Sequence, residues 1–217
     1  TLTGTDPSGN TTSSVAQVTI EDNVNPIAIT KDITVSLDAL GQASIIPTDV
    51  DNGSNDACGI INMQVTPFEF DCSNVGPNPV ELLVTDVNGN QSIESAIVTI
   101  IDVVAPVAIC QNISIQLDAT GSRSIIAGQI DNGSNDACGI ASLNVSPNIF
   151  DCSNVGTNLV TLTVEDVNGN VSTCQAQVTV EDVTPPLAIC QDIIIPLDAL
   201  GNASITGTDI DNGSNDA

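Results

Sequence analysis

The feature that most constrains this chain is an internal repeat of 80 residues. Residues 51–60 recur letter for letter as 131–140, and the first seven of them recur as 211–217. A fixed period indicates tandem copies of one small unit, and it overrides the one or two domains that a length of 217 residues suggests. We therefore expect a segment of a longer tandem array. The predicted units are 1–22, the end of one repeat; 23–102 and 103–182, two complete repeats; and 183–217, the opening of a further repeat.

The net charge limits the partners of the chain. It carries 27 acidic residues against 2 basic ones, which gives a formal net charge of −25. Such a charge repels both the phosphate backbone of nucleic acids and anionic membrane surfaces. No apolar run approaches the ~20 residues that a membrane span needs. We expect neither nucleic-acid binding nor membrane insertion.

Each repeat alternates apolar and polar residues with a period of two, as in Ile33, Val35 and Leu37, which is typical of half-buried strands. No stretch has a convincing helical period. About seven short strands in 80 residues predict an all-β fold of tandem immunoglobulin-like Greek-key β-sandwiches, arranged as an elongated rod. A closed barrel is the alternative. Because Trp and Tyr are absent and Phe occurs three times, each core is expected to consist of Val, Ile, Leu and Ala.

The predicted strand directions bring three acidic segments together. The loop 48–59 and the Asn-Gly hairpin 86–90 should both lie at the incoming end of the repeat. The third segment is the linker at residues 21–22, through which the chain enters the repeat. Clustered carboxylate and amide oxygens are the ligands that Ca²⁺ prefers, so we predict a calcium site there. The alternative is that these Asx-Gly loops only form tight turns. The candidate ligands are Asp22, Asp51, Asp56 and Asp86 at the first site, and Asp102, Asp131, Asp136 and Asp166 at the second.

Seven cysteines can be assigned from the repeat register. Cys110 and Cys174 are both replaced one period earlier, by Thr30 and Glu94, which is what a bonded pair predicts. The unmatched Cys190 corresponds to Cys110. The remaining cysteines occur in pairs 14 residues apart, and each pair is predicted to bond across a hairpin: Cys58 with Cys72, and Cys138 with Cys152. Disulfides indicate an oxidising, extracellular setting.

The sequence offers no catalytic constellation. Without histidine there is no Ser-His-Asp or Cys-His arrangement, and the cysteines are assigned to disulfides. Paired carboxylates can hydrolyse glycosides, but the same carboxylates in every copy, without aromatic sugar platforms, speak against it. We expect no enzymatic activity.

The second complete repeat resembles a known family. It contains Ala-Ile-Cys at 108–110, Asp-Ala-Cys-Gly at 136–139, Phe-Asp-Cys-Ser-Asn-Val-Gly at 150–156 and Asp-Val-Asn-Gly-Asn at 166–170. This order is similar to that of hyalin-type repeats, above all the long arrays in very large surface proteins of gliding and marine bacteria. The resemblance implies an immunoglobulin-like extracellular module used in adhesion, exported by the type IX system. It implies no particular ligand.

These observations favour a structural role. We expect the repeats to form a stalk that holds a distal binding domain away from a bacterial cell surface, stiffened by calcium between neighbouring repeats. The direct partners would be the neighbouring repeats, and unseen distal domains would engage a surface glycan or a protein receptor. Two alternatives stay open: repeats that themselves bind a glycan or a protein, and a segment that self-assembles into an extracellular filament.

Overall fold

The computed structural model describes residues 1–216 and divides the chain into two compact units. The first unit comprises Thr1–Asp38 and Gln42–Ile101, and the second comprises Ala39–Gly41 and the residues from Asp102 onwards. The strands and single helical turns of the first unit are β1 (Leu2–Thr5), β2 (Thr11–Ser14), β3 (Ile33–Ser36), β4 (Gln42–Ser44), α1 (Pro47–Val50), β5 (Ile60–Thr66), β6 (Glu69–Asp71), β7 (Gly76–Asp86) and β8 (Gln91–Ile101).

The second unit repeats this order. Its elements are β9 (Ile113–Gln116), β10 (Ser122–Ser124), α2 (Ala127–Ile130), β11 (Ile140–Ser146), β12 (Ile149–Asp151), β13 (Gly156–Asp166), β14 (Val171–Glu181) and α3 (Gly207–Ile210). A 3₁₀ turn follows β6 at Cys72–Asn74, and another follows β12 at Cys152–Asn154.

Each unit contains a four-stranded sheet and a two-stranded sheet. The larger sheet has the order β3-β8-β7-β5 in the first unit and β9-β14-β13-β11 in the second, and the smaller sheets are β4-β6 and β10-β12. The first strand of each complete repeat pairs in parallel with the last, β3 with β8 and β9 with β14, whereas the other pairs are antiparallel. This arrangement confirms the predicted all-β, immunoglobulin-like fold class.

The core of each unit lies on the inner faces of these sheets. Among the described residues, eleven hydrophobic side chains are buried in each unit, and ten of the eleven positions correspond across the 80-residue period. Along β7 the buried residues are Val80, Leu82 and Val84, which alternate with more exposed positions as the pleat requires. The expectation of a purely aliphatic core was incomplete, because Phe70 is buried at the centre of β6, and Phe150 takes the same place in β12.

Two local features depart from the repeat pattern. The loop before β5 contains one helical turn, α1, although no helix was expected in the repeat; Pro47 stands at its first position, where a missing N–H costs nothing. Ile61 is exposed, although strict alternation would put it on the same face as Met63 and Val65, because the register between β5 and β7 shifts between Ile60 and Asn62. A β-bulge of this kind rotates the residue at the shift away from its face.

The predicted Cys58–Cys72 and Cys138–Cys152 bonds are not formed. Cys58 and Cys152 are thiols, whereas Cys72 and Cys138 are each half of a disulfide. The hairpin assumed between them does not exist. Strand β5 pairs with β7, and β6 pairs with β4 in the other sheet.

The directions of the strands explain why these bonds cannot form. Because β5 runs antiparallel to β7, and β6 antiparallel to β4, the chain keeps one direction while it changes sheet. Ten strand residues then separate Cys58 from Cys72, or roughly 30 Å, whereas a disulfide needs Cα atoms within about 7 Å.

The predicted Cys110–Cys174 disulfide is confirmed, with a Cα–Cα distance of 5.9 Å and a sequence separation of 64 residues. It joins the segment before β9 to strand β14. A loop of this length corresponds to about 4 kcal/mol of stabilisation in the chain-entropy model. At the corresponding place in the first unit, the Thr30 hydroxyl donates a hydrogen bond of 2.7 Å to the carbonyl of Ser95. A polar contact thus stands where the second unit has a covalent one.

The segments that flank the two complete repeats, residues 1–22 and 183–216, bury few side chains. Strands β1 and β2 form an antiparallel hairpin whose residues are all exposed. Val18 and Ile20, which correspond to the buried Val98 and Ile100, are 81% and 93% exposed. Among residues 1–216, no helix is both long and apolar enough to cross a membrane.

The sandwich core makes a testable prediction in β13. Leu162 is fully buried, whereas Leu159 in the same strand is 56% exposed. We expect Leu162→Ala to lower the free energy of unfolding of its unit by about 2–5 kcal/mol, because it removes buried apolar contacts and leaves a cavity. Leu159→Ala is the matched control and should change it by less than about 1 kcal/mol. The measurement is urea unfolding of both variants, and equal losses would contradict the assigned faces of β13.

Candidate metal centre

The candidate site lies at the incoming end of each complete repeat, as the strand directions predicted. In the first unit, Ile60 at the start of β5 pairs with Asp86 at the end of β7, so the loop before β5 and the β7–β8 hairpin share one end. The amide Nδ2 of Asn90 in that hairpin donates to the backbone carbonyl of Asp22 at 3.2 Å. Asn170 makes the same bond to the carbonyl of Asp102, at 3.3 Å. The hairpin is therefore tied to the segment that leads into the repeat.

Four of the eight predicted carboxylates come together as two pairs, one pair in each unit. The ligand atoms of Asp22, Asp56 and Cys58 all lie within 4.8 Å of one another, and those of Asp102, Asp136 and Cys138 form the same group in the second unit. We call these the first and second carboxylate clusters. Each joins an aspartate of the incoming segment to the aspartate that precedes the cysteine in the loop before the third strand.

Backbone amides position these aspartates. Oδ1 of Asp56 accepts hydrogen bonds from the amides of Cys58, at 2.7 Å, and Gly59, at 3.1 Å. Oδ1 of Asp22 accepts from the amide of Val24 at 3.0 Å. The corresponding bonds hold Asp136 and Asp102 in the second cluster. In Asp56, Asp102 and Asp136 the local turn uses one carboxylate oxygen, which fixes the side chain and leaves the second oxygen for another ligand.

The second oxygen of Asp102 is the strongest indication of a missing ligand. Asp102 Oδ2 is buried and has no hydrogen-bond partner among the described residues. A buried carboxylate oxygen without a partner loses its hydration without compensation, so such atoms are rare in folded proteins. A cation or an ordered water at the second carboxylate cluster would satisfy it.

Asp51 and Asp131 act as turn residues. The carboxylate of Asp51 accepts from the amides of Ser54, at 3.0 Å, and Gly53, at 3.3 Å, and Asp131 repeats both bonds with Ser134 and Gly133. Burial acts to raise the pKa of Asp51, but the hydrogen bonds from Ser54 and Gly53 outweigh it and hold that pKa below its ordinary value. Since both oxygens are already used, these two predicted ligands fit the tight-turn alternative.

Asp86 and Asp166 are also turn residues, at the β7–β8 and β13–β14 hairpins, and both are almost fully buried. Oδ1 of Asp166 accepts from the amides of Asn168 and Asn170, and Oδ2 accepts from Nδ2 of Asn170, all at 2.8 Å. Burial acts to raise the pKa of Asp166, but the hydrogen bonds from Asn170, Asn168 and Gly169 outweigh it and hold that pKa below its ordinary value. The side-chain amide of Asn90 likewise acts as a donor, to the carboxylate of Asp86 and to the backbone carbonyl of Asp22.

The chemistry of the clusters favours a hard cation. Cys138 is half of a disulfide, so its sulfur is not a thiolate ligand. In the first cluster the Asp22 carboxylate accepts from the Cys58 thiol, and this bond, with the nearby charges of Asp22, Asp56 and Asp86, raises the pKa of Cys58. The remaining donors are carboxylate and backbone oxygens, which suit Ca²⁺ rather than Zn²⁺.

Comparison with known proteins gives structural neighbours only. No protein-family model matches the chain, and no curated protein does. The extracellular domain of protocadherin gamma B4 aligns with 79% of this chain and 35% of its own, at 13% identity and a TM-score of 0.39. Human mucin-like protocadherin domains 1–2 align over 73% and 98% of the two chains, at 14% identity and a TM-score of 0.32.

An enzyme chain also appears among these neighbours. An endo-fucoidan hydrolase of glycoside hydrolase family 107 aligns with 84% of this chain and 33% of its own, at 14% identity and a TM-score of 0.31. The alignments to the first three protocadherin structures span 35%, 54% and 44% of those chains.

The buried carboxylate of Asp166 predicts a pH dependence. Because its pKa is lower in the folded state than in the unfolded state, its stabilisation is complete above the unfolded value of about 3.9 and is lost as the pH falls through the folded pKa. In Asp166→Asn, an amide NH₂ would face Nδ2 of Asn170 in place of Oδ2, so we expect lower stability at pH 7.

The measurement is the urea midpoint of the second unit at pH 7 and at pH 3. The difference between the wild type and Asp166→Asn should be smaller at pH 3 than at pH 7, because the stabilisation that comes from the lowered pKa is lost progressively below the unfolded value of about 3.9. Glu165→Gln removes a charge from an exposed neighbour and serves as the control. A difference between wild type and variant that stays constant with pH would contradict the assigned role.

Proposed function

We propose that this chain is a spacer segment of a large extracellular adhesin, in which calcium binds at the incoming end of each repeat. One observation carries the spacer proposal: two units with the same strand order, and with ten corresponding buried core positions, follow each other at a fixed 80-residue interval. Repeated units of one fold are suited to setting length, since length then scales with copy number.

The extracellular setting rests on disulfide chemistry. The Cys110–Cys174 bond closes a large loop, and such structural disulfides persist in oxidising compartments. The hyalin-type motifs at 108–110, 136–139 and 150–156 support a surface protein of a gliding or marine bacterium. In this proposal, receptor contact belongs to other domains of the protein, and the repeats take no part in catalysis.

The calcium part of the proposal rests on the second carboxylate cluster. Two carboxylates, of Asp102 and Asp136, place oxygen atoms within 4.8 Å of each other in a chain of net charge −25. Like charges at this separation repel, and the buried Oδ2 of Asp102 has no protein partner. A divalent cation would remove the repulsion and satisfy that oxygen. The backbone carbonyl of Asp102, which accepts a hydrogen bond from Nδ2 of Asn170, is a further oxygen atom in this segment.

The test is thermal unfolding of the oxidised chain in millimolar calcium and in excess chelator. With free calcium at about 100 times Kd, binding to the folded state alone adds about 2.7 kcal/mol, so the Tm should rise by about 10 °C or more. We expect Asp56→Asn with Asp136→Asn to abolish the shift, because this pair removes one carboxylate from each cluster. Asp51→Asn with Asp131→Asn should lower the Tm equally with and without calcium.

The control is Glu69→Gln with Glu81→Gln, which makes the same charge change at two exposed strand positions. This variant should keep the full calcium shift. An unchanged wild-type Tm in calcium would remove the metal from the proposal. A shift retained by Asp56→Asn with Asp136→Asn would place the metal elsewhere.

A further inference from the structure

One asparagine side chain in the second unit joins a buried carboxylate to the segment that carries a cluster aspartate. Nδ2 of Asn170, in the β13–β14 hairpin, donates to Oδ2 of Asp166 at 2.8 Å and to the backbone carbonyl of Asp102 at 3.3 Å. A side-chain amide has two N–H donors, so each of these acceptors can receive one of them. The amide therefore bridges the end of strand β13 and the incoming segment of the same unit.

The buried carboxylate of Asp166 sets the direction in which this amide points. Asp166 is 1% exposed, and its Oδ1 accepts from the backbone amide of Asn170 at 2.8 Å. The backbone amide of Asp166 in turn donates to the carbonyl of Asn170 at 3.0 Å. If the side-chain amide were flipped, its oxygen would face the carboxylate of Asp166 and the carbonyl of Asp102, and acceptors would meet without a proton between them. Asp166 thus holds the N–H groups of Asn170 towards Asp102.

Two bonds then fix Asp102. Its Oδ1 accepts from the amide of Val104 at 3.0 Å, which sets how the side chain turns against its own backbone. Its carbonyl accepts from Asn170, which sets where that backbone lies against the hairpin. Oδ2 of Asp102 is buried and has no partner among the described residues, and the Asp102 side chain belongs to the second carboxylate cluster. The placement of this oxygen in the cluster therefore depends on Asn170.

We propose that Asn170 is the positioning residue of the second calcium site and that Asp166 acts through it. This inference rests on the calcium site of the proposed function, and it gives that site two residues that do not touch the cation. Both oxygens of Asp166 are already used by the hairpin, so this aspartate serves the site by orienting Asn170. Groups that orient the ligands of a metal typically change its affinity by about 10–100-fold when they are removed.

The first unit contains the same arrangement. Nδ2 of Asn90 donates to Oδ2 of Asp86 at 2.7 Å and to the carbonyl of Asp22 at 3.2 Å, and Asp86 is fully buried. Because these bonds join protein groups alone, they hold the incoming aspartate in place in the calcium-free protein. Little conformational entropy is then lost when calcium binds, which favours affinity through preorganisation.

Calorimetric titration with calcium chloride tests the role of Asn170. The titration uses the 217-residue chain with Asp56→Asn, in which only the second cluster keeps both of its carboxylates. We expect Asn170→Ala to raise the Kd for calcium about tenfold, because Asp102 is no longer held against the hairpin. Asn90→Ala in a chain with Asp136→Asn repeats the titration in the first unit, so the test does not depend on the folding of one variant.

The matched control is Asn158→Ala. Asn158 is half-buried, as Asn170 is, and its Nδ2 donates to the carbonyls of Asn154 at 2.6 Å and Gly156 at 3.2 Å. It lies near the start of β13, at the end of the strand opposite the site. Both substitutions should lower the Tm in chelator, whereas only Asn170→Ala should raise the Kd. Equal calcium affinities of these two variants would overturn the proposal.

Hydrogen exchange in excess chelator tests the positioning of Asp102 without the metal. We expect the amide of Val104 to exchange severalfold faster in Asn170→Ala, because a segment released from the hairpin opens more often, and at the wild-type rate in Asn158→Ala. If the wild type gives no binding heat with calcium, the calcium site of the proposed function fails. The exchange rate then decides alone whether Asn170 positions Asp102, and an unchanged rate in Asn170→Ala would refute it.

Discussion

The parallel pairing of the first and last strands of each repeat is the constraint on which the other features depend. Because β3 runs beside β8 in the same direction, the chain must enter the sandwich at one end and leave it at the opposite end. Antiparallel pairing of these strands would return the chain to its starting end. The loop before β5 and the β7–β8 hairpin then share the incoming end, where Asn90 ties the hairpin to the backbone of Asp22. The carboxylate clusters and the separation of the recurring cysteines both follow from this pairing.

Much of this fold could be predicted from local patterns, because local patterns report which faces are buried. The alternation in β7 and the Asn-Gly hairpin at 86–90 both correspond to structure. The prediction of a Cys58–Cys72 bond was wrong for a reason that the sequence spacing of the two cysteines cannot reveal. A break between two strand-like segments fits a chain reversal as well as a change of sheet in one direction. At Thr66 the chain changes sheet, since β6 finds its partner in β4 and not in β5.

The candidate site shows a similar limit. Sequence could identify eight aspartates in recurring turns, but it could not separate those whose two oxygens are occupied from those with one oxygen left. Asp51 and Asp86 each receive amide donors on both oxygens, from their own loops. Asp56 receives its two amide donors on a single oxygen. The difference depends on how each turn orients its amides, which requires coordinates.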